Sequence, residues 1–204
     1  MTEALLVIDV QRDFVPGGAL AVPDGDAVVP VINRLRERFP HAVATQDWHP
    51  AGHASFASSH AGKDPFQTVE LAYGQQTLWP DHCVQGSVGA EFHPALDMRR
   101  VEMITRKGFR REIDSYSGFR ENDRQTSTGL HGYLRERGIT RVFLAGLARD
   151  YCVQFTAEDA LELGYEVVVV EDACRAINPA VASACQGFLL ARGATSRTSD
   201  ELLG

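Results

Sequence analysis

Short apolar runs alternate with amphipathic stretches along the chain. Residues 5–10 form a run that is apolar apart from Asp9, as expected of a strand buried on both faces. Val28, Ile32, Leu35 and Phe39 then recur at helical spacing, and residues 41–45 and 101–105 read as a second and a third strand. Leu130, Tyr133 and Leu134 open another helix face that stops at Gly138. Residues 141–145 form a strand running into Gly146. Val153, Ala157, Ala160 and Leu161 then line one helix face, opposite Glu158, Asp159 and Glu162. Gly164 ends that helix and residues 166–170 are the plainest strand. Val181, Cys185, Phe188 and Leu189 mark a last helix, closed by Gly193 and a short strand at 194–196.

Strands that alternate with helices in this way predict an α/β fold: three layers, α/β/α, around a mostly parallel sheet of about six strands. No repeat, linker or low-complexity tract interrupts residues 1–204, which therefore read as a single domain. Ligands bind such sheets at the carboxyl ends of the strands. The irregular stretch 47–93 is rich in Pro, Gly, His and Trp, and loops of that length in a compact domain are usually functional.

Composition narrows the partners. The 27 acidic and 20 basic residues leave a net charge of −7, which speaks against nucleic acid or an anionic membrane as the main partner. No run approaches the length of a membrane span and no basic leader opens the chain, so a cytoplasmic location is expected. The four cysteines (Cys83, Cys152, Cys174, Cys185) lack metal or disulfide spacing, which implies reduced thiols, one of them free to do chemistry.

Three residues with chemistry sit at predicted strand ends: Asp9, Lys107 and Cys152. Asp150 is placed to cap the helix that follows, which would put Cys152 in the first turn, where the helix dipole favours a thiolate and free N–H groups can hold an oxyanion. Asp9 could take the thiol proton and return it to a leaving amine, with Lys107 stabilising the thiolate and keeping Asp9 ionised. Each residue alone has an ordinary reading, as core cysteine, turn aspartate or surface lysine; their joint placement at one sheet edge is the argument.

Asp47 and His49, spaced to share one side of an extended backbone, form a second group with His53 four residues on and with His82. One carboxylate and two imidazoles suit one divalent metal ion, Zn²⁺, Fe²⁺ or Mn²⁺, with positions left open. Spacing alone leaves His49 and His82 undecided, and His53, like His60, His93 and His131, reads equally as a solvated loop residue. Phe14, Trp79 and Tyr116 lie near these groups in sequence and are candidate walls for a flat ring.

Five segments together resemble the isochorismatase-like cysteine hydrolases, in their nicotinamidase/pyrazinamidase branch. They are Val7-Ile-Asp-Val-Gln-Arg-Asp-Phe14, Gln46-Asp-Trp-His-Pro-Ala-Gly-His-Ala-Ser-Phe56, Thr77-Leu-Trp-Pro-Asp-His-Cys-Val-Gln-Gly86, Lys107-Gly108 with Asp114-Ser-Tyr-Ser117, and Leu144-Ala-Gly-Leu-Ala-Arg-Asp-Tyr-Cys-Val153. The resemblance implies a catalytic triad of Asp9, Lys107 and Cys152 and metal ligands Asp47, His49 and His82. His53 matches a histidine that ligates metal in only some members. It implies ring walls from Phe14, Trp79 and Tyr116, with Tyr151 as a further pocket position. It also implies a cis Leu147–Ala148 peptide and an oxyanion hole from the N–H groups of Ala148 and Cys152. The implied reaction deamidates nicotinamide, and also pyrazinamide, through a Cys152 thioester, with the metal holding the ring nitrogen; the acid produced places the enzyme in NAD salvage. A small amide is the implied partner, and a homo-oligomer is compatible with the sequence. Arg149 departs from the pattern, because the family usually has Thr there.

Two other activities fit parts of this pattern. A cysteine amidohydrolase of the same superfamily acting on a ureido or carbamoyl amide would use the same triad, but such relatives generally lack the Asp47/His49/His82 set. A mononuclear iron oxygenase uses two His and one carboxylate, yet would leave the triad idle. A non-catalytic binding protein would leave both groups unexplained.

Overall fold

The computed structural model describes residues 2–204. Eight strands run in chain order: β1 (Thr2–Ile8), β2 (His41–Asp47), β3 (Thr68–Leu71), β4 (Gly74–Thr77), β5 (Met103–Lys107), β6 (Ile139–Gly146), β7 (Glu166–Cys174) and β8 (Thr195–Arg197). Five α-helices accompany them: α1 (Val28–Arg38), α2 (Leu130–Glu136), α3 (Cys152–Glu162), α4 (Pro179–Ala191) and α5 (Ser199–Leu203).

Six strands form one parallel sheet in the order β5-β2-β1-β6-β7-β8. β1 lies inside the sheet, and its period-2 alternation divides its side chains between two cores. Leu5 and Val7 pack with Ile32 and Leu35 of α1, while Leu6 and Ile8 pack with Leu134 of α2 and Ala157 of α3. A strand buried on both faces needs an unbroken apolar run, which is why β1 was legible. The chain winds outward from β1 to β2 and β5, then crosses back to place β6 on the other side of β1. The order reverses between β1 and β6, and such a switch point opens a crevice at the carboxyl ends of the strands. Asp9 follows β1 and Cys152 follows β6, so the two flank it.

Three features depart from the sequence expectations. The 47–93 stretch contains an antiparallel hairpin, β3–β4, outside the main sheet; its short polar strands carry too little apolar periodicity to announce it. α4 forms where expected, but it buries Leu189 and leaves Val181 and Phe188 exposed. It flanks the edge strand β8 and so has little sheet to cover. Asp150 does not cap α3. Tyr151 occupies the N-cap position without a side-chain bond, and the Asp150 carboxylate instead accepts from Ile177 N at 3.0 Å and Asn178 N at 2.8 Å. Asp150 thereby ties down the loop after β7 and leaves the first turn of α3 uncapped.

Candidate active site

Asp9 leaves β1 with φ near 47°, in the left-handed region, which turns its carboxylate off the strand and into the crevice. The Thr45 hydroxyl donates to Asp9 Oδ1 at 2.6 Å. Lys107, at the end of β5, brings its ammonium 2.9 Å from Asp9 Oδ2. The same ammonium donates to Asp47, to Ser115 O at 2.9 Å and toward Cys152 Sγ at 3.5 Å. Asp9 and Lys107 are fully buried, and Cys152 is 7% exposed. The three side chains predicted to act together thus meet around one nitrogen.

Two carboxylates and one ammonium in a dry site set the resting protonation. Burial pushes the Cys152 thiol well above its usual value; Lys107 pulls it back, but Asp9 and Asp47 push it up again. Burial thus works toward the neutral thiol, against the place on α3 and the lysine neighbour, which favour a thiolate. Burial likewise raises Asp9 from the carboxylate range, against the pull of Lys107. Burial alone would lower Lys107, yet Asp47, then Asp9 and Cys152, hold it well above its usual value as a fixed cation.

The turn before α3 supplies donors. The Leu147–Ala148 peptide is cis. Arg149 N donates to Arg175 O, and the N–H groups of Tyr151 and Val153 both donate to Ala148 O. The N–H groups of Ala148 and Cys152 have no protein acceptor among the described residues. Unpaired donors flanking a nucleophile are what a developing oxyanion requires.

Asp47, His49 and His82 converge next to the triad. Asp47 Oδ2 lies 3.6 Å from His49 Nε2 and 3.8 Å from His82 Nε2. His49 Nδ1 donates to Gly108 O at 2.9 Å and His82 Nδ1 to Pro80 O at 2.8 Å. A carbonyl only accepts, so each bond leaves the Nε2 lone pair facing the shared point. This donor set fits a divalent metal with open positions, and all three residues are buried. Gly108 is required for that packing, because a Cβ there would sit 2.4 Å from the His49 ring. Gln11, which the sequence did not single out, clamps the backbone of Asp47: its amide donates to Asp47 O at 2.9 Å and accepts from Asp47 N at 2.8 Å.

His53 stands differently. Its Nε2 lies 2.9 Å from Arg110 O and its Nδ1 2.8 Å from Ser55 Oγ, so both ring nitrogens are engaged. Its ring is tilted 43° to that of His49, with centroids 4.5 Å apart, and it falls in a separate group with His49 and Asp114, not with Asp47 and His82.

One pocket joins the two groups. Phe14, Trp79, Tyr116 and Tyr151 all line it, with Cys152 and Ala148 from the triad side and Asp47 and His82 from the other. Trp79 and Tyr151 meet edge-on at 4.9 Å, a rigid aromatic wall. Leu20, Asp114 and Ile177 complete the lining and went unassigned in the sequence. Leu20 and Ile177 sit in loops without periodicity, and only the Asp114-Ser-Tyr-Ser117 segment offered a signal.

Arg149 points away from this pocket. Its guanidinium makes a two-point pair with Glu171 at 3.0 and 3.1 Å and reaches Gln154 Oε1 at 3.3 Å. The residue braces the nucleophile turn against β7 from behind. Glu171 is only half-buried and keeps a bond from Ser196 Oγ at 2.7 Å, so Arg149→Ala is expected to cost ~1–2 kcal/mol, read as a lower urea midpoint. A midpoint equal to wild type would show that the pair carries no such load.

Residues 3–201 match the isochorismatase domain family. A nicotinamidase of Acinetobacter baylyi is 57% identical over 175 residues, 86% of this chain and 82% of that protein. The solved nicotinamidase/pyrazinamidase of Acinetobacter baumanii is 49% identical, with a TM-score of 0.97 over 99% of this chain and 98% of that one. The pyrazinamidase of Pyrococcus horikoshii, solved in complex with zinc, is 37% identical with a TM-score of 0.79, over 97% of this chain and 99% of that one. The family match, the sequence identities and the fold similarity agree, and the chain belongs to the isochorismatase domain family.

Proposed function

We propose that this protein is a nicotinamidase, which hydrolyses nicotinamide, and likewise pyrazinamide, to the acid and ammonia through a thioester on Cys152. One observation carries the reading: one aromatic-walled pocket is lined both by Cys152 of the Asp9/Lys107/Cys152 group and by Asp47 and His82 of the adjoining Asp47/His49/His82 group. Named nicotinamidases among its relatives support it.

The chemistry follows from the placement. The carboxamide carbon faces Cys152, and its oxygen faces the N–H groups of Ala148 and Cys152. Asp9 takes the thiol proton as Sγ bonds to the carbonyl carbon, and the two N–H groups hold the resulting oxyanion. As the C–N bond breaks, Asp9 returns that proton to the amine and ammonia leaves. Water then adds to the thioester, giving a proton to Asp9, and the C–S bond breaks to release the acid and the thiol. Lys107 remains cationic throughout and keeps Asp9 able to ionise in a buried site.

Asp47, His49 and His82 would hold the divalent metal, with His53 bracing His49 from outside the ligand set. A bound ion supplies a Lewis-acid point for the ring nitrogen and so orients the substrate. The zinc bound by the Pyrococcus pyrazinamidase supports a metal of this class. Removal of the ion is expected to raise KM for nicotinamide at least about tenfold, while iodoacetamide still labels Cys152 in the stripped protein. Loss of labelling on chelation would contradict that division of labour.

Ammonia release from nicotinamide, pyrazinamide, benzamide and a ureido amide tests the whole reading. The first two are expected to turn over and benzamide, lacking a ring nitrogen, to fall well behind. Preference for the ureido amide would transfer the protein to the alternative amidohydrolase class.

A further inference from the structure

The β3–β4 hairpin carries a side chain with an unusual number of partners. Gln76 on β4 is 1% exposed, and a buried primary amide is tolerated only when its donors and acceptor are met. Its Oε1 accepts from the Tyr73 hydroxyl at 3.0 Å and from Asn122 Nδ2 at 3.2 Å. Its Nε2 lies 3.0 Å from Asp114 Oδ2, 2.8 Å from the Tyr116 hydroxyl and 2.6 Å from Thr77 O. A backbone carbonyl only accepts, so Thr77 O fixes which way the amide points. The Tyr116 hydroxyl also accepts from Trp79 Nε1 at 3.2 Å. Gln76 therefore touches two pocket-lining residues directly and reaches a third, Trp79, through Tyr116.

We infer that Gln76 is a positioning residue for ring binding: its amide holds Tyr116 and Asp114 at the pocket wall and governs substrate affinity rather than the thiol chemistry. The inference rests on the pocket being the ring-carboxamide site proposed above. Gln76 makes no direct hydrogen bond to Cys152, Asp9 or Lys107. A longer route runs through Asp114 to Ser115, whose carbonyl accepts from Lys107 Nζ at 2.9 Å, so the alkylation rate is the readout that separates an effect on the wall from one on the thiol.

The test compares nicotinamide KM and kcat for wild type, Gln76→Leu, Tyr116→Phe and the double variant, alongside the rate of Cys152 alkylation by iodoacetamide in the free proteins. Gln76→Leu is expected to raise KM about tenfold, hold kcat within about threefold and leave alkylation unchanged. In the Tyr116→Phe background the same change should add little, because residues that act through one another are not additive. The exposed neighbour supplies the control, Gln75→Ala, which should match wild type. If Gln76→Leu does not fold, Gln76→Asn keeps an amide in the site that is too short to span its partners, and the same KM-against-kcat split is read from it. An unchanged KM, full additivity, or a kcat loss with altered alkylation would each overturn the inference. Wild type that releases no ammonia from nicotinamide defeats the parent reading and this inference with it. A working wild type with an indifferent Gln76→Leu defeats this inference alone.

Discussion

Cys152→Ala is expected to lower kcat for nicotinamide by ~10⁴-fold or more while nicotinate binding stays within about threefold. The asymmetry follows from the layout. In the proposed site Cys152 supplies the sulfur that bonds to carbon, whereas four aromatic rings, Phe14, Trp79, Tyr116 and Tyr151, line the rest of the pocket. Cys152 is also almost fully buried between the two core layers, and truncation to Ala removes one small atom, so the fold should survive. Ammonia release under single-turnover conditions and a nicotinate titration check the two halves. Residual turnover within about a hundredfold of wild type would mean that a water, not the thiol, attacks the amide.

Lys107→Met should be the next most damaging change, and it acts on stability and rate together. The fully buried ammonium lies between Asp9 and Asp47, and no other cation contacts either carboxylate among the described salt bridges, His49 and His82 apart. Its loss strands buried negative charge, at a cost of ~3–5 kcal/mol in the metal-free protein. The sign of the pH effect follows from the same contacts. Lys107 lowers Asp9, so without it Asp9 holds its proton to higher pH, and the acid limb of kcat/KM moves upward. In the wild type, the raised Lys107 contributes stability below the ordinary lysine value that is lost as pH rises through its folded value. Asp47 is held well below its usual value: burial opposes this, but Lys107 and then His49 and His82 outweigh it. Its share is present above the ordinary aspartate value and is lost as pH falls through the folded one. The pairing therefore spans the neutral range. A Lys107→Met protein with wild-type urea midpoint and an unmoved acid limb would show that the ammonium is not the counter-charge of Asp9.

The strands were legible because burial on both faces of a parallel sheet demands apolar runs, and Leu5, Leu6, Val7 and Ile8 meet that demand with little local ambiguity. The triad was legible for a related reason. Strand ends in such a sheet all open on one edge, so Asp9, Lys107 and Cys152 could be brought together before any distance was known. The hairpin and Gln76 were not legible, since a polar amide in a short polar strand looks like any exposed residue. Only the partners contributed by Tyr73, Asp114, Tyr116 and Asn122 reveal it as buried. Asp150 shows the converse error: its position before α3 matched a capping residue, but Ile177 and Asn178 offered N–H groups from across the site and won it.

By itself, then, the sequence determined the layered parallel fold and the residue types at the sheet edge. These depend on periodicity and local spacing, which are properties of the chain in one dimension, whereas spacing left His49 and His82 undecided and only the family resemblance joined them to Asp47. The tertiary structure decided the rest: that burial pushes the Cys152 thiol up, that both ring nitrogens of His53 have protein partners, and that Arg149 faces Glu171 and not the pocket. Each of those turns on which distant groups share a dry space of a few ångströms, where charge and hydrogen bonding act at full strength.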